Sequence, residues 1–126
     1  MYETPILTGY TIAGCDTPLM MRIKNRFSGQ YTQPTELESI NVKVAKYDAP
    51  ETLTYESDLD VDTVTDDLSK VGWTHDNIGY NFRPVVPGNS MTIGDADYSV
   101  EFTIKYLDGY EDAVLWRLHV TAKRLG

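Results

Sequence analysis

The chain reads as all-β, a Greek-key β-sandwich of about seven short strands, on three observations. Tyr98, Val100, Phe102, Ile104 and Tyr106 alternate strictly with Ser99, Glu101, Thr103 and Lys105. Val114, Trp116, Leu118 and Val120 then alternate with Leu115, Arg117, His119 and Thr121. A period of two places one set on a buried face and the other toward solvent or a partner. Between these runs stands Asp108-Gly109, a dipeptide that accepts positive φ at both turn positions and so predicts a two-residue type I′ hairpin. Shorter alternating runs, bounded by Gly, Pro and Asp, recur through the rest of the chain, as in a sandwich.

Residues 1–14 read as an arm leading into a first strand, with Ile6, Tyr10 and Ile12 as its anchors, and Asp16-Thr17-Pro18 breaks it. Leu19, Met21 and Ile23 alternate with Met20, Arg22 and Lys24 in a second strand. Residues 27–37 carry Ser28-Gly29 and Pro34 and read as a loop. Ile40, Val42 and Val44 form a strand that Asp48-Ala49-Pro50 ends. Leu59 and Val61 alternate with Asp58, Asp60 and Asp62, as in an edge strand guarded by charge. Val64, Leu68 and Val71 then fall at helical spacing before Gly72, which predicts a short helix inserted near 63–71. Ile78, Tyr80 and Phe82 alternate with Gly79, Asn81 and Arg83, and a long connection over 84–94 leads into the closing hairpin.

A length of 126 residues suits one domain spanning 1–126, with a possible N-terminal arm at 1–10. A 41% hydrophobic share with 24% charged residues is that of a folded globular protein. Cys15 is the one cysteine, so no internal disulfide forms, which suits a chain made in a reducing cytoplasm. The N-terminus lacks the basic start and apolar stretch of a signal peptide, and no apolar run is long enough to span a bilayer. Of the net charge of −8, −7 falls in residues 51–76, where Lys70 stands against eight acids. That balance disfavours nucleic acid and anionic membrane surfaces as partners.

Motifs for chemistry are absent. Asp58, Asp60 and Asp62 place oxygen ligands at alternate positions. Scored as a calcium loop, however, the segment has Thr63 where Gly is needed and Ser69 where a bidentate Glu is needed. His75, His119 and Cys15 have no zinc spacing. Neither a Gly-x-Ser-x-Gly elbow nor a phosphate-cradling glycine loop occurs, and Cys15 beside Asp16 lacks a group to lower its pKa. No catalytic residue, metal ligand or cofactor is therefore expected, and the chain is not read as an enzyme. Leu115 stands where the alternation predicts a polar residue, so the outward face of the last strand is a candidate contact patch.

Several runs carry a resemblance. Gly14-Cys15-Asp16-Thr17-Pro18-Leu19 followed by Ile40-Asn41-Val42-Lys43-Val44 resembles the first half of Ig-like virion domains of tailed bacteriophages. Ile78-Gly79-Tyr80-Asn81-Phe82 and the run from Asp97 to Gly109, with its Tyr-x-x-Glu-Phe strand, are similar to their second half. The N-terminal domain of baseplate upper proteins is the nearest comparison. Residues 51–76 are longer and more acidic than that pattern, and no receptor-binding extension is expected after the last strand. The resemblance implies an Ig-like fold and a virion structural protein that binds other virion proteins. Foremost is a capsid decoration (cement) protein on the major capsid protein, and the alternative is a tail or baseplate adaptor. A calcium-dependent receptor- or carbohydrate-binding module is a further alternative. The expected contact residues are Tyr2, Ile6 and Tyr10 on the arm with Leu115, Arg117 and His119 on the last strand. A homo-oligomer is expected as well, since small domains gain stability that way.

Overall fold

The computed structural model describes residues 6–74 and 76–122. Nine strands lie among them: β1 (Ile6–Ile12), β2 (Thr17–Pro18), β3 (Leu37–Lys46), β4 (Leu53–Leu59), β5 (Val64–Ser69), β6 (Tyr80–Phe82), β7 (Val85–Val86), β8 (Ala96–Tyr106) and β9 (Glu111–Thr121). One layer is a five-stranded sheet in the order β1-β9-β8-β3-β4, antiparallel except for β1, which runs parallel to β9. The other layer joins the pairs β2-β7 and β5-β6. Main-chain bonds from Leu19 N–H to Pro84 O and from Met21 N–H to Phe82 O hold the two pairs together. The chain leaves the first sheet after β4, builds β5 to β7 in the second, and returns as β8 beside β3. That crossover makes the connection a Greek key and the fold an all-β sandwich.

Burial follows the period of two. Tyr98, Val100, Phe102, Ile104 and Tyr106 are all buried, as are Ile40, Val42 and Val44 on β3. Leu19, Met21 and Ile23 supply the facing surface, and Phe82 meets Phe102 edge-on with centroids 5.3 Å apart. These residues belong to one core cluster.

Four local expectations are corrected. The helix near 63–71 is absent: a single 3₁₀ turn at Val61–Thr63 is capped by the Asp60 carboxylate, which accepts the Asp62 N–H at 2.9 Å, and β5 follows. Of the three residues at helical spacing only Val64 is buried, and Val71 is 80% exposed, so a helix would have had no apolar stripe to cover. Val64 instead pairs with Phe82 and Ser69 with Tyr80, and the surplus residues of β5 bulge outward, carrying Asp66 and Asp67 into solvent.

The closing hairpin has a three-residue connection, Leu107 to Gly109, with Lys105 opposite Glu111. Gly109 alone has positive φ, at 92°, and the Asp108 carboxylate accepts the Tyr110 N–H at 3.0 Å. The reason is parity. Directly opposed residues share a face, and the inward residues are even-numbered on both strands, so an odd number must separate them. A two-residue turn would have opposed Phe102 to Leu115.

Ile6, Tyr10 and Ile12 do not anchor the first strand to the core; all three point outward. Gly9 sets that parity, because its backbone lies so close to β9 that a Cβ would stand 3.1 Å from Leu118 and 3.4 Å from Trp116. Leu7, on the same side, packs on the core. Finally, Asn81 is buried although its neighbours' alternation places it outside. It ties three stretches of chain together: its Oδ1 accepts the Ile23 N–H at 2.7 Å, and its Nδ2 donates to Ile23 O at 3.0 Å and Thr32 O at 3.3 Å.

Candidate functional site

The parallel pairing of β1 with β9 unites the two separate surfaces expected from the sequence. Ile6 lies beside Leu115, Thr8 beside Arg117, and Tyr10 beside His119. Five of the six expected contact residues therefore share one outward face; the sixth, Tyr2, lies outside the described residues. Ile6 is 63% exposed and Tyr10 83%, while Leu115 is half-buried between them and the rest of the sheet. Isolated exposed apolar residues are ordinary, but an adjacent group on a flat sheet face is the form an interface takes.

Polar groups border this patch on the β8 side. Asp97 on β8 opposes His119 and lies diagonal to Arg117. Its two oxygens receive Arg117 Nε and meet His119 Nδ1, each at 2.7 Å. The bonds to His119 and then to Arg117 hold the Asp97 carboxyl below its ordinary range, so it is ionised at neutral pH. The Arg117 guanidinium lies 3.8 Å over the Tyr47 ring, and Tyr10 meets the His119 ring edge-on at 6.1 Å. Arg117 is thus fixed by an aromatic face and a carboxylate together, a pre-organised donor at the border of an apolar patch. Asp97 is not legible in the sequence because its role depends on the hairpin register, nor is Tyr47, whose place beside Arg117 depends on the pairing of β3 with β8. A three-residue turn would have placed Asp97 opposite His119.

An Asp-His pair also begins a general base. Among the described residues, however, no hydroxyl or thiol is hydrogen-bonded to His119 Nε2. Cys15 is exposed, and its N–H donates to Ile12 O. Asp58 binds Asn41 and Asp60 caps a turn, so the alternating acids do not converge. Among the described residues no three His, Cys, Asp or Glu side chains are placed to hold a metal ion. His75 lies outside those residues.

A second feature lies along the open side of β1. A cleft of about 560 Å³ separates Ile6, Leu7 and Thr8 from Met20, Arg22 and Trp73, with Trp116 also lining it. Arg22, in its lining, makes a 2.9 Å salt bridge to Asp76. The same carboxylate accepts Trp73 Nε1–H at 2.8 Å and the N–H groups of Ile78 and Gly79. Arg22 foremost, then Trp73, holds Asp76 far below the usual carboxylate range. Trp116 Nε1 is buried without a hydrogen-bond partner among the described residues.

No family model, curated protein or solved structure matches the chain. The functional reading accordingly rests on the outward face of β1 and β9 and on the sequence resemblance.

Proposed function

We propose that this chain is a non-catalytic virion structural protein of a tailed bacteriophage. In this reading it is a capsid decoration protein that docks on the major capsid protein through the outer face of β1 and β9. The observation that carries the docking is the union of Ile6, Tyr10 and Leu115 into one exposed patch bordered by the Arg117–Asp97–His119 group. Such a patch has the anatomy of a protein interface, with apolar and aromatic anchors at the centre and fixed polar groups around them. The virion setting comes from the sequence resemblance alone.

The test is co-sedimentation with phage heads lacking the protein, using Tyr10→Asp and Leu115→Asp. Both side chains leave the core untouched, so folding by circular dichroism is unchanged. Loss of an aromatic anchor costs about 2 kcal/mol or more, or roughly 30-fold in affinity. Undiminished binding by both variants would overturn the docking face. Binding to isolated tails and not to heads would move the protein to the baseplate.

A further inference from the structure

We propose that the open edge of β1 pairs with the β1 of a second copy, antiparallel about Gly9, so that two sandwiches share one continuous sheet. The inference concerns the edge of β1, not its outward face, and stands apart from the docking reading.

The hydrogen-bonding direction of β1 follows from its last contacts. Ala13 N–H donates to Thr121 O at 2.9 Å, and Thr11 O accepts the Thr121 hydroxyl at 3.0 Å. In a parallel ladder alternate residues turn both main-chain groups to the same side. Leu7, Gly9 and Thr11 therefore face β9, and Ile6, Thr8 and Tyr10 present N–H and C=O to the open edge. Among the described residues, no main-chain bond from outside the strands reaches Thr8 or Tyr10. The cleft at Ile6 to Thr8 leaves room beside them.

Natural sheets guard such edges with charge, proline or bulges. β4, at the far end of the same sheet, does so with Glu56 and Asp58 and with a register shift at Val44/Ala45. β1 reads Ile-Leu-Thr-Gly-Tyr-Thr-Ile, with no charge, no proline and an unbroken register. An unguarded edge in a sheet whose other edge is guarded is the form an assembly edge takes.

The register argues for a second copy of this chain. Antiparallel pairing about Gly9 sets Thr8 against Tyr10 of the copy and Ile6 against Ile12. Thr8 and Tyr10 turn both main-chain groups to the open edge, whereas the Ile12 C=O is taken by the Cys15 N–H, so the pairing centres on Thr8 and Tyr10; the side chains of all four lie on the solvent face. An aromatic beside a β-branched residue is a favourable cross-strand pair. Charge selects the same geometry. Residues 51–76 carry −7 of the net −8, and four of their acids, Glu56, Asp58, Asp66 and Asp67, lie on β4 and β5. Joining through β1 leaves β4 at the outer ends of the shared sheet, whereas joining through β4 would oppose Glu56 and Asp58 to their copies.

Sedimentation velocity on the whole chain, over micromolar to millimolar concentration, tests this. The wild type is expected to be a dimer. Thr8→Pro and Thr8→Lys are expected to be monomers with unchanged circular dichroism, since the Thr8 N–H serves the open edge and not the bond to β9. In a Cys15→Ser background, Thr8→Cys with Tyr10→Cys is expected to give a covalent dimer under mild oxidation. Hydrogen-bonded partners lie about 5.5 Å apart at Cα, within disulfide range. Thr8→Cys alone is expected not to, because Thr8 does not face itself. A monomeric wild type, a dimer that persists in both Thr8 variants, or equal cross-linking by the single cysteine would each overturn the inference. Head binding by a strictly monomeric chain would overturn the dimer and leave the docking face standing. A dimer that binds no particle would do the reverse.

Discussion

Replacing Asn81 by leucine removes the buried amide that joins β6 to the chain at Ile23 and Thr32. Asn81 is 1% exposed, so water does not reach the groups it leaves. Ile23 O keeps a second donor, the Thr32 N–H at 3.1 Å, but the Ile23 N–H loses its acceptor. A buried donor left unpaired costs about 1–3 kcal/mol, and two further lost hydrogen bonds add about 0.5–1.5 kcal/mol each. Asn81→Leu should therefore destabilise by about 2–6 kcal/mol, a large part of the total for a domain of this size. Urea unfolding followed by tryptophan fluorescence measures it, with the midpoint falling and the slope unchanged. Asn81→Asp refines the reasoning. Ionised, its carboxylate still accepts from Ile23 N–H but faces the carbonyl oxygens of Ile23 and Thr32 with no proton to offer. Its folded pKa is thus raised above the unfolded value. The stability it retains is fully present below the ordinary carboxylate pKa and is lost as pH rises through the folded pKa. The variant should approach the wild type in acid and fall away at neutral pH. A loss under about 1 kcal/mol for Asn81→Leu, or a gap for Asn81→Asp that widens in acid, would refute the argument.

Asp76 carries the opposite sign. Bonds from Arg22, Trp73, Ile78 and Gly79 hold its folded pKa far below the unfolded one, so its contribution is present above the ordinary carboxylate pKa and fades as pH falls through the folded value. Asp76→Asn should lower the melting temperature at neutral pH and flatten its fall in acid, read by thermal scans across pH. Gly79 has φ of 104°, and a Cβ there would stand 2.4 Å from Ser69 O. Gly79→Ala should therefore destabilise by well over the roughly 1–2 kcal/mol that left-handed backbone costs a residue with a side chain. Gly29, with φ of 72° and nothing within 4 Å of its Cβ, should show only that smaller cost in the same urea titration.

Most of the five-stranded sheet was legible because one rule, alternation, governs it. β3 and β8 bury the residues that the period of two selects, β9 buries Val114, Leu118 and Val120 with Trp116 half-buried, and Leu19, Met21 and Ile23 are buried likewise although they follow β2 without forming the expected strand. The hairpin turn was misread although the information to place it was present. The even-numbered inward residues of both strands require an odd loop, whereas Asp108-Gly109 read by local preference alone gives a two-residue one. The helix near 63–71 failed for a related reason, since three apolar residues at helical spacing say nothing of whether a surface awaits them. Asn81 was invisible because its role is set by Ile23 and Thr32, far away in the chain. The contact residues of β1 and β9 were named as two surfaces, and only the parallel pairing of the first strand with the last makes them one.

That pairing also gives the molecule two unlike sides. β4 ends the first sheet, and β5 lies at the outer side of β6 in the second, so Glu56, Asp58, Asp66 and Asp67 gather where these strands lie, while Asp76 is paired with Arg22 beside the cleft at β1. The bulge of β5 pushes Asp66 and Asp67 further into solvent. The opposite side presents β1, uncharged, with an open hydrogen-bonding edge and an apolar outer face. Exposed charges act over roughly a Debye length, about 8 Å at physiological ionic strength, so the acidic side does not reach across the sheet to repel a partner at β1. It does repel a second acidic side placed against it. On the proposed pairing through β1, the chain would have one adhesive side and one self-excluding side, with association directed to β1 by its open edge and by repulsion at β4 and β5. Removing the repulsion should therefore broaden association without strengthening contact at β1. Neutralising Glu56 and Asp58 together would expose β4 as a second open edge, and the chains would grow beyond the dimer.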